Sequence, residues 1–198
     1  MKKSLLLCLL LPLSAAACFA QESRQDASVS ATGVFPPFVT GNAVYQNANP
    51  GWGVLASYRY MLTPRSALEG NYQYSRNITN LRNSVNNFDV HTKMQEISAA
   101  YIFNFAYKKF NPFVEAGPGA FLFSPLDDSQ TQTFGAKRST SIGFLYGGGI
   151  AYELSPSFDI RAEYRGIVAK APNFGLSNFN TNRWYNISNP TVGIAYHF

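Results

Sequence analysis

The sequence predicts an all-β chain, eight antiparallel strands closed into an up-and-down barrel, and three observations lead there. Apolar and polar residues alternate with period two in eight separate runs. The connections between those runs alternate between short and long. The composition sets 46% apolar and 15% aromatic residues against 14% charged ones in 198 residues, too few solvated side chains for a surface bathed wholly in water.

At the N-terminus, Lys2 and Lys3 precede an apolar run from Leu5 to Leu13, and small residues lead to Cys18-Phe19-Ala20, the three regions of a secretory signal peptide. Pro12 interrupts the run, and the stretch is too short to span a bilayer. Cleavage is predicted after Ala20, giving a signal peptide at 1–20 and one barrel domain at 21–198. Lipid attachment at Cys18 is the alternative, and Ala15-Ala16-Ala17 fits it poorly. Both cysteines leave with the signal, so the mature chain is expected to hold no disulfide and no cysteine-ligated metal. Loss of the two lysines takes the net charge from +5 to +3. No later stretch reaches about 18 consecutive apolar residues, so any membrane crossing must use strands.

The first strand, near Asp26 to Phe35, is the weakest of the eight. From Trp52, the residues Val54, Ala56, Tyr58, Tyr60 and Leu62 share one face, opposite Gly53, Ser57 and Arg59. Leu68, Gly70, Tyr72 and Tyr74 then oppose Glu69, Asn71, Gln73 and Ser75. Ile97, Ala99, Tyr101, Phe103 and Phe105 oppose Glu96, Ser98, Ala100, Ile102 and Asn104. Val114, Ala116, Pro118, Ala120 and Leu122 oppose Glu115, Gly117 and Gly119, with Phe113, Phe121 and Phe123 falling on the polar side. Ile142, Phe144, Tyr146, Gly148, Ile150, Tyr152 and Leu154 form the next apolar face, and Phe158, Ile160, Ala162, Tyr164 and Val168 the one after. The last run sets Val192, Ile194, Tyr196 and Phe198 opposite Thr191, Gly193, Ala195 and His197.

Thr63-Pro64-Arg65, Ala106 to Phe110 and Ser155-Pro156-Ser157 read as short turns. Residues 36–50, 76–92, 124–139 and 169–188, rich in Asn, Ser, Thr and Gly, read as long loops. Four long loops at one end and three turns at the other make an up-and-down barrel with both chain ends on the short-turn side.

Such a barrel either encloses its apolar face around a ligand, as a soluble lipocalin-like carrier does, or turns it outward into lipid. The polar face favours lipid. Its mid-strand positions hold Gly, Ala and Ser with a predicted lumen charge network of Arg59, Glu69, Glu96, Glu115, Glu153, Asp159, Arg161, Glu163 and Arg165. The five mature lysines all lie in turns, loops or strand ends. Small residues with opposite charges fill a narrow interior, and those charges must pair across it or meet water. Trp52, Tyr58, Tyr60, Tyr72, Tyr74, Phe105, Tyr152, Phe158 and Tyr196 stand near strand ends on the apolar face, where rings suit the headgroup level. Insertion also demands closure, because an open edge in hydrocarbon leaves backbone groups unpaired.

With its signal peptide, eight alternating runs, asymmetric loops and the ending Val192-Gly193-Ile194-Ala195-Tyr196-His197-Phe198, the chain resembles the small outer-membrane β-barrels of Gram-negative bacteria, of the OmpA, OmpX and opacity-protein kind. The resemblance covers essentially the whole mature chain. It implies residence in the bacterial outer membrane, among outer-membrane lipid and lipopolysaccharide. It also implies that Tyr196 and Phe198 belong to a C-terminal assembly signal read by the barrel-assembly machinery. OmpA continues into a peptidoglycan-binding domain whereas this chain stops at the barrel, so wall anchoring by that route is not implied.

Nucleic-acid binding is not favoured, since the 16 basic residues are scattered with no run longer than two. An enzyme is not expected either. His91 and His197 fall at opposite ends of the barrel, and neither has a serine partner nearby in sequence. Gly147-Gly148-Gly149 lacks the lysine of a phosphate loop and reads as lumen space or close strand approach. The acids lack metal-ligand spacing, so neither metal nor cofactor is expected. At the long-loop end Arg76, Arg82, Lys93, Lys137, Arg138, Lys170 and Arg183 face Asp89, Asp127 and Asp128, a balance of 7 − 3 = +4, with Lys137, Arg138 and Arg183 as candidate lipopolysaccharide contacts. The expected role is a non-enzymatic contribution to envelope structure or surface interaction through the four long loops. Alternatives are an adhesin or host-interaction protein with an unidentified extracellular partner and, further off, the soluble carrier.

Overall fold

A computed structural model describes residues 24–82, 87–105, 107, 109–126, 137–176 and 180–198, with side chains except at 87 and 88. The predicted signal peptide, 1–20, lies outside the described residues. Ten strands follow one another: β1 (Gln25–Val34), β2 (Val39–Gly41), β3 (Val44–Ala48), β4 (Gly51–Thr63), β5 (Ser66–Arg82), β6 (Asn87–Asn104), β7 (Phe110–Pro125), β8 (Ser139–Ser155), β9 (Phe158–Lys170) and β10 (Trp184–His197). Each barrel strand pairs antiparallel with its neighbours in the chain, β2 and β3 aside, and β1 pairs with both β4 and β10, which closes an eight-stranded barrel.

The strands form because alternation gives each one an outer and an inner row that meet different surroundings. The apolar row faces out: Trp52 is 74% exposed and Ile142 77%, in a belt that includes Tyr58, Leu68, Ile97, Tyr101, Val114, Ile150, Ile160, Val192 and Ile194. A continuous apolar cylinder of this size is not a water-facing surface. Along β4 the belt runs from Trp52 to Leu62, and from Ile97 on β6 to Phe105 just past its end, close to the nine to eleven residues a tilted strand needs to cross hydrocarbon. The soluble-carrier alternative fails here, because a carrier turns its apolar row inward.

Short turns join β4 to β5 at 64–65 and β8 to β9 at 156–157, and residues 105–109 join β6 to β7. The opposite end departs from expectation in three ways, the smallest being that Trp184 to Ser188 of the expected loop 169–188 pair in the ladder with Lys170 to Gly166. The segment 76–92 is largely ladder, with pairs running from Arg76↔Lys93 to Arg82↔Asn87, so the connection shrinks to 83–86. Its Asn, Thr and Arg residues resembled a loop because the ladder has left the apolar belt and no longer needs an apolar outer row. The first loop, expected at 36–50, contains the hairpin β2–β3, turned at Asn42 and Ala43 (φ 52° and 58°), and β3 extends the sheet along β5 from Tyr45↔Arg82 to Ala48↔Thr79.

The interior is layered. At the long-loop end Val34, Val39, Val44, Leu81, Val90, Met94, Phe121, Phe123, Ile167, Phe174, Tyr185 and Ile187 form a buried apolar plug. Phe174 sits in it at φ 50°, a strained conformation for a bulky residue. A smaller cluster of Ala67, Ile102 and Phe113, with Met61 against it, lies on β4–β7 toward the short turns. Polar and charged side chains fill the space between. The apolar stretches of the inner row, including the three phenylalanines of β7, are thus structural layers.

Candidate functional site

Three features of the barrel invite a functional reading: the charged lumen and the two rims. In the lumen, the inward row of β9 supplies Arg161 and Arg165 and that of β4 supplies Arg59. Arg59 Nε donates to Glu69 Oε2 at 2.8 Å, and its guanidinium carbon lies 4.8 Å from the centre of the Phe113 ring. Arg161 pairs with Asp26 at 2.7 Å and reaches Glu69 at 3.8 Å. Arg165, 0% exposed, donates to Glu96 at 2.7 Å and to Gln73 at 3.2 Å, and its Nε lies 3.4 Å from Glu115. Ser98 also donates to Glu96 (2.7 Å), and Asn189 to Gln73 (3.2 Å).

The predicted charged set therefore divides. Arg59, Glu69 and Arg161 meet in one group, and Arg165, Glu96 and Glu115 in another. Asp159 pairs instead with His197 (2.9 Å) near the short-turn end, opposite Glu153 in the ladder. Neither Glu153 nor Glu163 makes an ion pair among the described residues. Asp26 was missed as a lumen partner because it starts the weakest run, although Asp26, Ser28, Ser30 and Thr32 repeat at the two-residue spacing of an inner row. Among the described residues, neither polar side-chain atom of Asn71 or of Glu115 has a protein hydrogen-bond partner.

Of the triple glycine, Gly147 and Gly149 face this lumen, and Gly148 between them belongs to the outer row. A Cβ on Gly147 would meet Glu115 Oε1 and Tyr164 O at 2.6 Å, and one on Gly149 would meet Glu163 Cβ at 2.6 Å and the Phe113 ring at 2.8 Å. His91 lies at the long-loop end of β6 and His197 at the short-turn end of β10. No group of three His, Cys, Asp or Glu side chains able to hold a metal occurs among the described residues.

At the long-loop rim one row of outward positions is cationic. Arg76 stands directly opposite Lys93, Lys93 opposite Ser124, and Arg138 Nε donates to Ser124 Oγ at 3.1 Å. Arg76 also donates to Tyr74 OH (2.8 Å) and covers that ring. None of the three cations has a carboxylate partner among the described residues. Of the predicted contacts, Arg138 joins this row and Lys137 adjoins it, held by a bond from its amide to Phe174 O (2.7 Å). Arg183 sits apart, with its Cγ 3.1 Å from where a Cβ on Gly41 of β2 would lie. Asp127 and Asp128, counted in the rim charge, lie outside the described residues.

At the short-turn rim the belt ends in rings. Tyr196 packs on Phe158 (5.1 Å between centres) and Phe198 (6.0 Å), and Phe110 on Tyr152 (4.9 Å).

The sequence matches the family described as outer membrane protein beta-barrel domain over residues 5–198. No curated protein matches it. Among solved structures it is similar to Neisserial surface protein A, NspA (TM-score 0.62, 18% identity, covering 89% of this chain and 98% of that one). It is similar also to the outer membrane protein OprG from Pseudomonas aeruginosa (TM-score 0.62, 12% identity, 90% and 97% covered). A third likeness is to Ail, the attachment invasion locus protein of Yersinia pestis, in complex with the heparin analogue sucrose octasulfate (TM-score 0.52, 17% identity, 88% and 99% covered). At these identities the likeness is one of fold.

Proposed function

The chain belongs to the outer-membrane β-barrel domain family and resides in the bacterial outer membrane, and from that premise we propose that it is a non-enzymatic envelope protein. Its long-loop end faces outward and contacts the phosphates of lipopolysaccharide. The short turns then lie in the periplasm, with Tyr196 and Phe198 placed for the barrel-assembly machinery to read.

The observation that carries this reading is the row Arg76, Lys93 and Arg138, outward-facing at the upper edge of the apolar belt with no carboxylate partner among the described residues. Cations at that height meet the phosphate layer of the outer leaflet, and charge-assisted hydrogen bonds to phosphate are roughly twice as strong as neutral ones. Lys137 adds to the row, whereas Arg183 is a separate cation beside β2 at the same end. The test is retention of lipopolysaccharide by detergent-extracted protein. Changing Arg76, Lys93 and Arg138 to Ala should release most of it, and changing Lys137, Arg138 and Arg183 to Ala a smaller share; unchanged retention in both rejects the reading.

The adhesin reading keeps one support of its own. The same cations would take a sulfated glycan, and the structurally similar Ail is seen with a heparin analogue. Binding to immobilised heparin by protein stripped of lipopolysaccharide, abolished by the same substitutions, would favour it.

A further inference from the structure

One backbone contact repeats four times around the short-turn rim. The residue just before each of β1, β5, β7 and β9 offers its carbonyl to an amide near the end of a neighbouring strand. Met61 donates to Arg24 (2.7 Å), Asn104 to Arg65 (2.8 Å), Glu153 to Lys109 (3.0 Å) and His197 to Ser157 (2.9 Å). Three of these four equivalent positions hold cations. Arg24, Arg65 and Lys109 are all exposed, and none makes an ion pair among the described residues. No acidic side chain is exposed at this rim among the described residues: Asp26 and Asp159 are buried, and Glu153 is half-buried.

We propose that Arg24, Arg65 and Lys109 form a ring that binds the headgroup phosphates of phospholipids in the periplasmic leaflet. The height of the ring comes from its neighbours. Tyr60, Phe105, Phe110 and Phe158 lie within five residues of a ring position or of its hydrogen-bond donor, Phe198 donates its amide to the carbonyl of Gln25 next to Arg24 (3.1 Å), and these rings mark the headgroup level. Long cationic side chains at that level reach phosphate oxygens without leaving their apolar footing. The backbone of each is already pinned, so binding orders only the side chain, which limits the entropic cost. The inference rests on the orientation proposed above and goes beyond it by assigning a lipid partner to the opposite rim.

The test counts phosphatidylglycerol molecules retained on the folded protein by native mass spectrometry. Relative to wild type, the R24Q/R65Q/K109Q variant should lose on the order of half of them, since near-surface cations each contribute to anionic-lipid binding. R24K/R65K, which keeps the charge, should lose none. Single Gln variants should show about a third of the triple effect each, so the question stays answerable if the triple does not fold. Unchanged retention in the Gln variants overturns the proposal. So does a defect confined to binding of purified peptidoglycan sacculi, which would assign the ring to the wall polymer. Orientation is read separately, by labelling Ser157→Cys in cells with an impermeant maleimide. Labelling only after the outer membrane is permeabilised supports short turns in the periplasm, whereas labelling of intact cells refutes that orientation and with it the periplasmic ring.

Discussion

Arg165→Met removes the cation that faces both Glu96 and Glu115 and leaves a flexible apolar chain in its place. In the native lumen, Glu96 accepts from Arg165 Nη2 at 2.7 Å and from Ser98 at 2.7 Å, and Glu115 meets Arg165 Nε at 3.4 Å. After the substitution Glu96 keeps only the hydroxyl, and Glu115 loses its nearest cation. Breaking a buried pair from one side costs about 3–5 kcal/mol, because the stranded charge pays its desolvation without its partner. Two carboxylates are stranded here, so a loss near the upper end of that range is expected, as a shift of the denaturant midpoint for unfolding from lipid vesicles, read by heat-dependent gel mobility. Replacing both ends gives the control. The triple variant Arg165→Met, Glu96→Gln, Glu115→Gln has no stranded charge and should recover most of the loss, since neutral groups replacing an entire buried ionic cluster are often near neutral in stability. An Arg165→Met protein within about 1 kcal/mol of wild type would refute the reasoning, because that value belongs to solvated pairs and implies a lumen wet enough to screen the carboxylates.

Three further outcomes are expected. Ile194→Arg, in the middle of the lipid-facing row of β10, should destabilise vesicle-embedded barrel by about 2–4 kcal/mol and Trp52→Arg at the edge of the belt by about 0–1 kcal/mol, with equal effects refuting the belt assignment. Gly149→Ala, whose new methyl would crowd Ala162 O and Glu163 at 2.6 Å, should cost about 1–3 kcal/mol, whereas Gly70→Ala, with open space around the site, should stay within about 0.5 kcal/mol on the same unfolding assay. In planar bilayers the wild type should show no discrete conductance steps and neither should Arg59→Ala, because the plug around Phe121, Phe123 and Phe174 remains; steps in either protein would show that the lumen is open.

The strands were legible because inside and outside differ so sharply that Tyr72 and Gln73, adjacent in sequence, could not share an environment. Legibility failed where that contrast fades. Beyond the belt, Asn80, Arg82 and Asp89 continue β5 and β6 with polar residues on the outer row, and the ladder there looked like loop. The plug was hidden for the opposite reason: Phe121 and Phe123 broke the expected polarity of the inner row, and only the whole barrel shows that Ile167, Phe174 and Ile187 meet them. Pairings within the lumen were beyond reach, since Arg165 and Glu96 are 69 residues apart and nothing local matches one carboxylate to one guanidinium. The Arg24, Arg65 and Lys109 ring escaped notice because its members share a position relative to strand starts and no sequence motif.

The pairing of Asp26 with Arg161 has a consequence for how the cylinder is completed. Asp26 belongs to the first strand and Arg161 to β9, so the bond reaches across β10 and exists only once the two ends of the sheet have met. A half-built sheet, still gaping between β1 and β10, leaves Arg161 without that carboxylate and the hydroxyls of Thr32 and Thr191, 3.1 Å apart when joined, without each other. The final stitch therefore settles electrostatic debts that every earlier one leaves open, which makes a sealed wall far more stable than a gaping one and discourages the barrel from reopening at its seam.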